Sequence, residues 1–139
     1  MSTRFVADAS VGVAWVHPAQ ATPQTEAMLQ AVYSGAVVEA PALWPLEVAN
    51  ALLVLVRRKK LSASERQRAL VALRNLSVEL DHDMSSLAFT TLSTLAAEHR
   101  LSIYDAAYLE LAVRKELPLG CKDGPLREAA KRCHLESPY

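Results

Sequence analysis

The sequence predicts an α/β fold built on a central, mostly parallel sheet, and two observations lead there. Short runs that are apolar on both faces, such as residues 4–7 (RFVA) and 36–40 (AVVEA), alternate with longer stretches of helical periodicity. The 139 residues are 51% hydrophobic, enough for one compact domain with a real core, and no linker, repeat or low-complexity stretch divides residues 1–139.

Each element has its own warrant. Residues 4–7 read as a buried strand ending at Asp8, after which VGVAW opens a helix. Residues 22–33 fit a second helix, with Pro23 in its first turn and Gly35 past its end. Residues 36–40 form a strand closed by Pro41, and residues 43–56 a third helix with Pro45 near its start. Ser62 and Glu65 make the SxxE start of a fourth helix that runs to about Leu76, and residues 77–80 a short strand. Met84, Leu87, Ala88, Leu92, Leu95 and Ala96 recur at the spacing of a single amphipathic helix. A helix over 103–116, a strand over 117–121 and a terminal helix over 124–133 complete the chain. In such sheets ligands collect beyond the carboxyl ends of the strands.

Composition excludes several functions. Lys and Arg number 15 and so do Asp and Glu, leaving no global field to draw in nucleic acid or a membrane surface, so any such contact is local. Cys121 and Cys133 form no CxxC pair and read as reduced thiols of a cytoplasmic protein. Asp8 interrupts the N-terminal apolar run, so no export signal is expected. Residues 43–56 are too short for a membrane span and contain Glu47. The chain has no GxGxxG, Walker-type or GxSxG motif, and His17, His82, His99 and His134 lack metal or triad spacing.

The helix over 43–56 is apolar on every face and should be buried all round, which leaves Glu47 and Asn50, one turn apart, facing a polar cleft or each other. Glu47 alone is equally well explained as a first-turn carboxylate complementing the helix dipole, worth about 0.3–1 kcal/mol. Asp8 reads as an N-cap, Asp105 as the partner of Ser102 in a capping box, and Asp123 as a cap or turn residue before Gly124 and Pro125. Singly, each is structural. Together they fall at strand ends or in first helical turns, which share one edge of a parallel sheet. Carboxylates crowded there repel one another unless a cation neutralises them, and an oxygen-only set selects Mg²⁺ or Mn²⁺.

The segments FVADASV, PLEVANAL, LSIYDAAYLELA and CKDGPLREAA, in this order and spacing, resemble a PIN domain of the VapC type, the toxin half of toxin–antitoxin pairs, over nearly the whole chain. The resemblance implies a single-domain α/β/α sandwich and a metal-dependent endoribonuclease. In that reading Asp8, Glu47, Asp105 and Asp123 are the acidic quartet that holds Mg²⁺ or Mn²⁺, Ser10 is a hydroxyl beside the first acid, and Asn50 is the polar residue one turn after the second. It further implies in-line hydrolysis of RNA by metal-activated water, a cognate antitoxin partner and a homodimer. The chain departs from the family where Cys121 stands in place of a frequent threonine, with Lys122 beside Asp123.

Arg57, Arg58, Lys59 and Lys60, helped by Arg66 and Arg68, form the only dense basic cluster and are candidates for the RNA backbone. Cations after a helix C-terminus also complement the dipole and stay solvated, which is the simpler reading. Trp15, Trp44 and Leu43 belong either to the core or to a groove for a partner. The competing functional classes are a catalytically silent Mg²⁺-binding interaction module and a Mg²⁺-dependent phosphatase-like domain using Lys122, which lacks a complete nucleophile motif.

Overall fold

The computed structural model describes residues 3–122 and 124–139. Strands β1 (Arg4–Ala7), β2 (Val37–Pro41), β3 (Val78–Asp81) and β4 (Leu119–Gly120) form one all-parallel sheet in the order β3-β2-β1-β4. Val6 lies opposite Glu39 on one side and Leu119 on the other, and Ala40 opposite Leu80. Phe5, Val6 and Ala7 are each 0% exposed. Successive strand residues point to opposite faces, so both faces of β1 are covered.

Two groups of helices do the covering. Helices α1 (Ala9–Val16), α2 (Pro23–Tyr33), α3 (Trp44–Arg57) and α4 (Ala63–Arg74) pack around α1; α5 (Met84–Leu87), α6 (Thr91–His99), α7 (Ile103–Lys115) and α8 (Pro125–Arg132) gather around α7, which lies directly on β1 and β2. The result is an α/β/α sandwich with a single contiguous core that includes Phe5, Met28, Leu52, Leu92, Tyr108 and Leu109. Trp15 and Trp44 both belong to that core, and the Trp15 indole donates to the Thr25 carbonyl at 2.9 Å. Past α8 the chain returns to the sheet: the Leu119 amide donates to Glu136 O at 3.0 Å, and Tyr139 meets Phe5 edge-to-face with centroids 6.3 Å apart. Among the described residues no helix is long and apolar enough to cross a membrane.

Most helix starts lie where their capping residues predict. Thr22 and Ser62 each complete a capping box, with Thr25 and Glu65 respectively. Three expectations fail for identifiable reasons. The single helix expected through Met84 and Ala96 is two, α5 and α6, broken around the 97% exposed Phe89. Ser86 Oγ donates to Asp83 O and Ser93 Oγ to Ala88 O, so hydroxyls compete with the helical ladder through the break. The strand expected over 117–121 shrinks to two residues, because the Leu117 amide closes α7 on Ala112 O and Pro118 has no amide to give. Finally, α3 is buried on one face only, through Trp44, Val48 and Leu52, while Leu46 is 74% exposed.

Helices α1 and α3 cross at Gly12. A Cβ there would lie 2.7 Å from Trp44 Cζ2 and 3.1 Å from Val48 Cγ2. The Trp44 ring is itself tethered, its Nε1 donating to Asp8 O at 3.2 Å. Gly12→Ala gains about 1 kcal/mol of helix propensity but overpacks this crossing by about 1–3 kcal/mol. Urea denaturation should therefore show a net loss of up to about 2 kcal/mol; a variant more stable than the parent would mean that the two helices can separate freely.

Candidate functional site

The site is assembled where β1 ends. Ala7 pairs with Gly120, and the Asp8 amide donates to Gly120 O at 3.0 Å, so Asp8 and Cys121 emerge side by side at the carboxyl edge of the sheet. Asp8 is extended and caps α1: its Oδ1 accepts from the Val11 amide at 3.2 Å and from Ser10 Oγ at 2.7 Å. Oδ1 is thereby committed. Among the described residues no hydrogen bond reaches Oδ2, the oxygen left to face the cleft.

Glu47 sits in the first turn of α3, anchored by its amide to Leu43 O, and Tyr108 Oη donates to Glu47 Oε1 at 2.7 Å. Tyr108 is 1% exposed and lies one turn after Asp105 on α7, so the helix presents both toward the cleft. Ser102 Oγ accepts from the Asp105 amide at 3.0 Å, but the Asp105 carboxylate makes no hydrogen bond among the described residues. The capping box expected there is thus only half made.

Electrostatics ties these groups together. Burial pushes the Asp8 carboxyl up to about 6, with Asp105 and Glu47 adding to the rise and the Ser10 and Val11 bonds opposing it. Glu47 is raised by burial and by Asp105, against the pull of the Tyr108 hydroxyl, and Asp105 is raised by burial. The Tyr108 phenol is raised by burial, by its bond to Glu47 and by the charges of all three acids. Burial sends the Cys121 thiol up to about 12, with Asp8 and Asp105 adding and Arg127 opposing.

The fold treats its other buried acids differently. Glu39, 4% exposed, accepts from Arg4 at 3.2 Å and Lys115 at 2.7 Å, and Glu110, 7% exposed, is gripped by Arg114 at 2.8 Å. Among the described residues Asp8, Glu47 and Asp105 have no cationic partner.

The remaining expected residues fall as follows. Ser10 stands beside the first acid as anticipated. Asn50 is exposed on α3 and enters none of the site's hydrogen bonds, and Asp123 lies outside the described residues. Arg57 closes α3 ten residues beyond Glu47, about 15 Å along the axis, and Arg57, Arg58, Lys59 and Lys60 are all exposed there. Sequence reasoning missed two participants, Tyr108 and Trp44. The spacing of Asp105 and Tyr108 on one helix held a signal for the first; nothing local marked the indole of Trp44 as a donor to the Asp8 carbonyl.

A divalent cation is the group this set of donors suits, since every unengaged ligand atom is a carboxylate oxygen. As the side chains stand, no group of three His, Cys, Asp or Glu among the described residues is close enough to hold a metal ion together. Mg²⁺ keeps several waters and takes one or two carboxylates, so an open acidic cup is compatible with it.

A carboxyl whose folded pKa exceeds its unfolded value stabilises the fold while protonated, and that contribution is lost as pH rises from about 3.8 through about 6 for Asp8. Asp8→Asn keeps an acceptor for Ser10 and Val11 without the charge. In chelator-containing buffer at pH 7.5 it should exceed the parent in urea stability by about 1–3 kcal/mol, and the gain should vanish near pH 4. Equal stabilities at pH 7.5 would mean that the buried charge carries no cost.

No protein-family pattern and no curated protein matches the chain. Its fold is similar to that in the crystal structure of PAE2754 from Pyrobaculum aerophilum, at 21% identity over 93% of this chain and 87% of the other, with a TM-score of 0.67. That likeness extends to the architecture of an α/β/α sandwich.

Proposed function

We propose that the protein is a metal-dependent endoribonuclease of the PIN type, the toxin of a toxin–antitoxin pair, acting in the cytoplasm. The observation that carries this reading is the trio Asp8, Glu47 and Asp105, gathered at the carboxyl edge of the sheet without a cation among the described residues, in a protein that pairs its other buried acids. One or two of the carboxylates of Asp8, Glu47 and Asp105 would hold Mg²⁺ or Mn²⁺, with water completing the ion's shell. When bound, that ion supplies Lewis acidity at a phosphodiester and acidifies water.

The chain's own groups keep the cup in register. Ser10 and the Val11 amide fix the rotation of the Asp8 carboxylate, Tyr108 holds Glu47 by one oxygen, and the Trp44 indole ties the start of α3 to the end of β1. Such bonds restrict the rotation of Asp8 and Glu47 and leave one oxygen of each without a hydrogen bond among the described residues. A protein partner and a homodimer belong to the same proposal. Exposed Leu46 and Phe89 support it, as does an apolar cavity of about 430 Å³ between α3, α4 and β3, lined by Trp44, Val48, Leu73 and Leu80 among others.

Purified protein should cleave single-stranded RNA with Mg²⁺ or Mn²⁺ and not with chelator. Asp8→Asn and Glu47→Gln should each lower the rate at least about 100-fold while circular dichroism stays unchanged. Full activity in either folded variant, or cleavage undiminished by chelator, refutes the assignment; cation binding without cleavage of any RNA points instead to the silent interaction module. Tyr108→Phe, which frees Glu47 Oε1, should reduce cleavage about tenfold at limiting Mg²⁺ and raise the Mg²⁺ concentration needed for half-maximal rate.

A further inference from the structure

Next to the acidic cup lies a cavity of the opposite character. It holds about 290 Å³ and is lined by Lys122 and Arg127, together with the polar side chains of Thr22, Gln24 and Ser137 and the thiol of Cys121. Among the described residues its lining includes neither an acid nor an aromatic ring. Lys122 Nζ donates to the neutral Gln20 carbonyl at 2.9 Å, and among the described residues neither Lys122 nor Arg127 forms an ion pair. Both are partly buried, so their charges work in a less screened setting than the exposed cations at the end of α3.

Position decides what this cavity serves. Cys121 lines it and also stands beside Asp8, through the hydrogen bond from the Asp8 amide to Gly120 O. Asp8 and Asp105 raise the thiol and Arg127 lowers it, so Cys121 lies within reach of both sets of charges. One residue therefore separates the cup from the cationic cavity. An RNA strand laid on three carboxylates of a neutral protein is repelled unless cations help to hold it, and these two line a cavity that shares Cys121 with the edge of the cup, whereas the cluster at Arg57 lies about 15 Å along α3 from Glu47. Hydroxyl, amide and cationic donors without an aromatic platform suit a phosphate and give a base nothing to stack on.

We propose that the cavity lined by Lys122 and Arg127 seats an RNA backbone phosphate neighbouring the phosphodiester held at the acidic cup. This rests on the nuclease reading for its substrate, and on the cavity itself for its location. Lys122 and Arg127 act as positioning residues: they fix the strand's register across the carboxyl edge, and Cys121 forms the divide between the two subsites.

The test is fluorescence anisotropy of a labelled single-stranded RNA ten-mer on Asp8→Asn protein without divalent cation, against the same protein carrying Lys122→Gln and Arg127→Gln. The added pair should weaken binding about tenfold and lower the slope of log affinity against log salt by about one. Lys122→Arg in place of Lys122→Gln should restore most of the affinity. Unchanged affinity and slope in the folded double variant overturn the site. Should that variant fail to fold, acetylation footprinting of the unaltered chain decides, since bound RNA should shield Lys122 and undiminished labelling overturns the proposal. Cleavage by the parent protein with no contribution from Lys122 and Arg127 to affinity sinks this subsite and leaves the nuclease reading standing. RNA binding that needs both residues, without cleavage at any divalent cation concentration, sinks the nuclease reading and retains the subsite.

Discussion

Unbalanced negative charge at the carboxyl edge of the sheet is the constraint on which the rest of the site depends. A part-buried carboxylate without a counter-ion is costly, and the fold shows that it knows the remedy: Glu39 and Glu110 are each neutralised by a basic side chain in contact. At Asp8, Glu47 and Asp105 that remedy is withheld among the described residues, and neutral donors are supplied instead, the hydroxyls of Ser10 and Tyr108 and the amide of Val11. Neutral donors orient a carboxylate without cancelling it. The negative charge is thus left in place, where a small cation would offset it.

The backbone architecture was legible to the extent that local chemistry governed it. The strand at Arg4–Ala7, the capping boxes opened by Thr22 and Ser62, and the terminal helix after Gly124 all carry their signals within a few residues. Where the sequence misled, the deciding partner was either a competing hydroxyl or a distant element. Hydrophobic spacing ran unbroken through Leu87 and Leu92, but serines and threonines drew off backbone carbonyls between them. The apolar circumference of α3 suggested complete burial, which requires neighbours on every side; the fold provides them on one.

The candidate site was legible in a similar, partial way. Three acids at the ends of elements could be gathered on one edge because parallel topology dictates where those ends go. What could not be read was which groups hold them. Tyr108 bonds a residue 61 positions away, and Trp44 reaches a carbonyl 36 positions back, so neither role leaves a local trace. The basic residues show the same limit in reverse: a dense run such as Arg57, Arg58, Lys59 and Lys60 attracts notice in the sequence, whereas Lys122 and Arg127, five positions apart, are brought to one cavity only by the turn from β4 into α8.

The return of the chain past α8 has a consequence for how this molecule can associate. With Glu136 O occupying the Leu119 amide and Tyr139 laid on Phe5, the β4 side is already sealed, while β3 is bounded on its outer side by no strand among the described residues. A sheet with one open border admits at most one neighbour by strand pairing. Glu79 and Asp81 on that strand make any such pairing selective for the charge of the incoming strand.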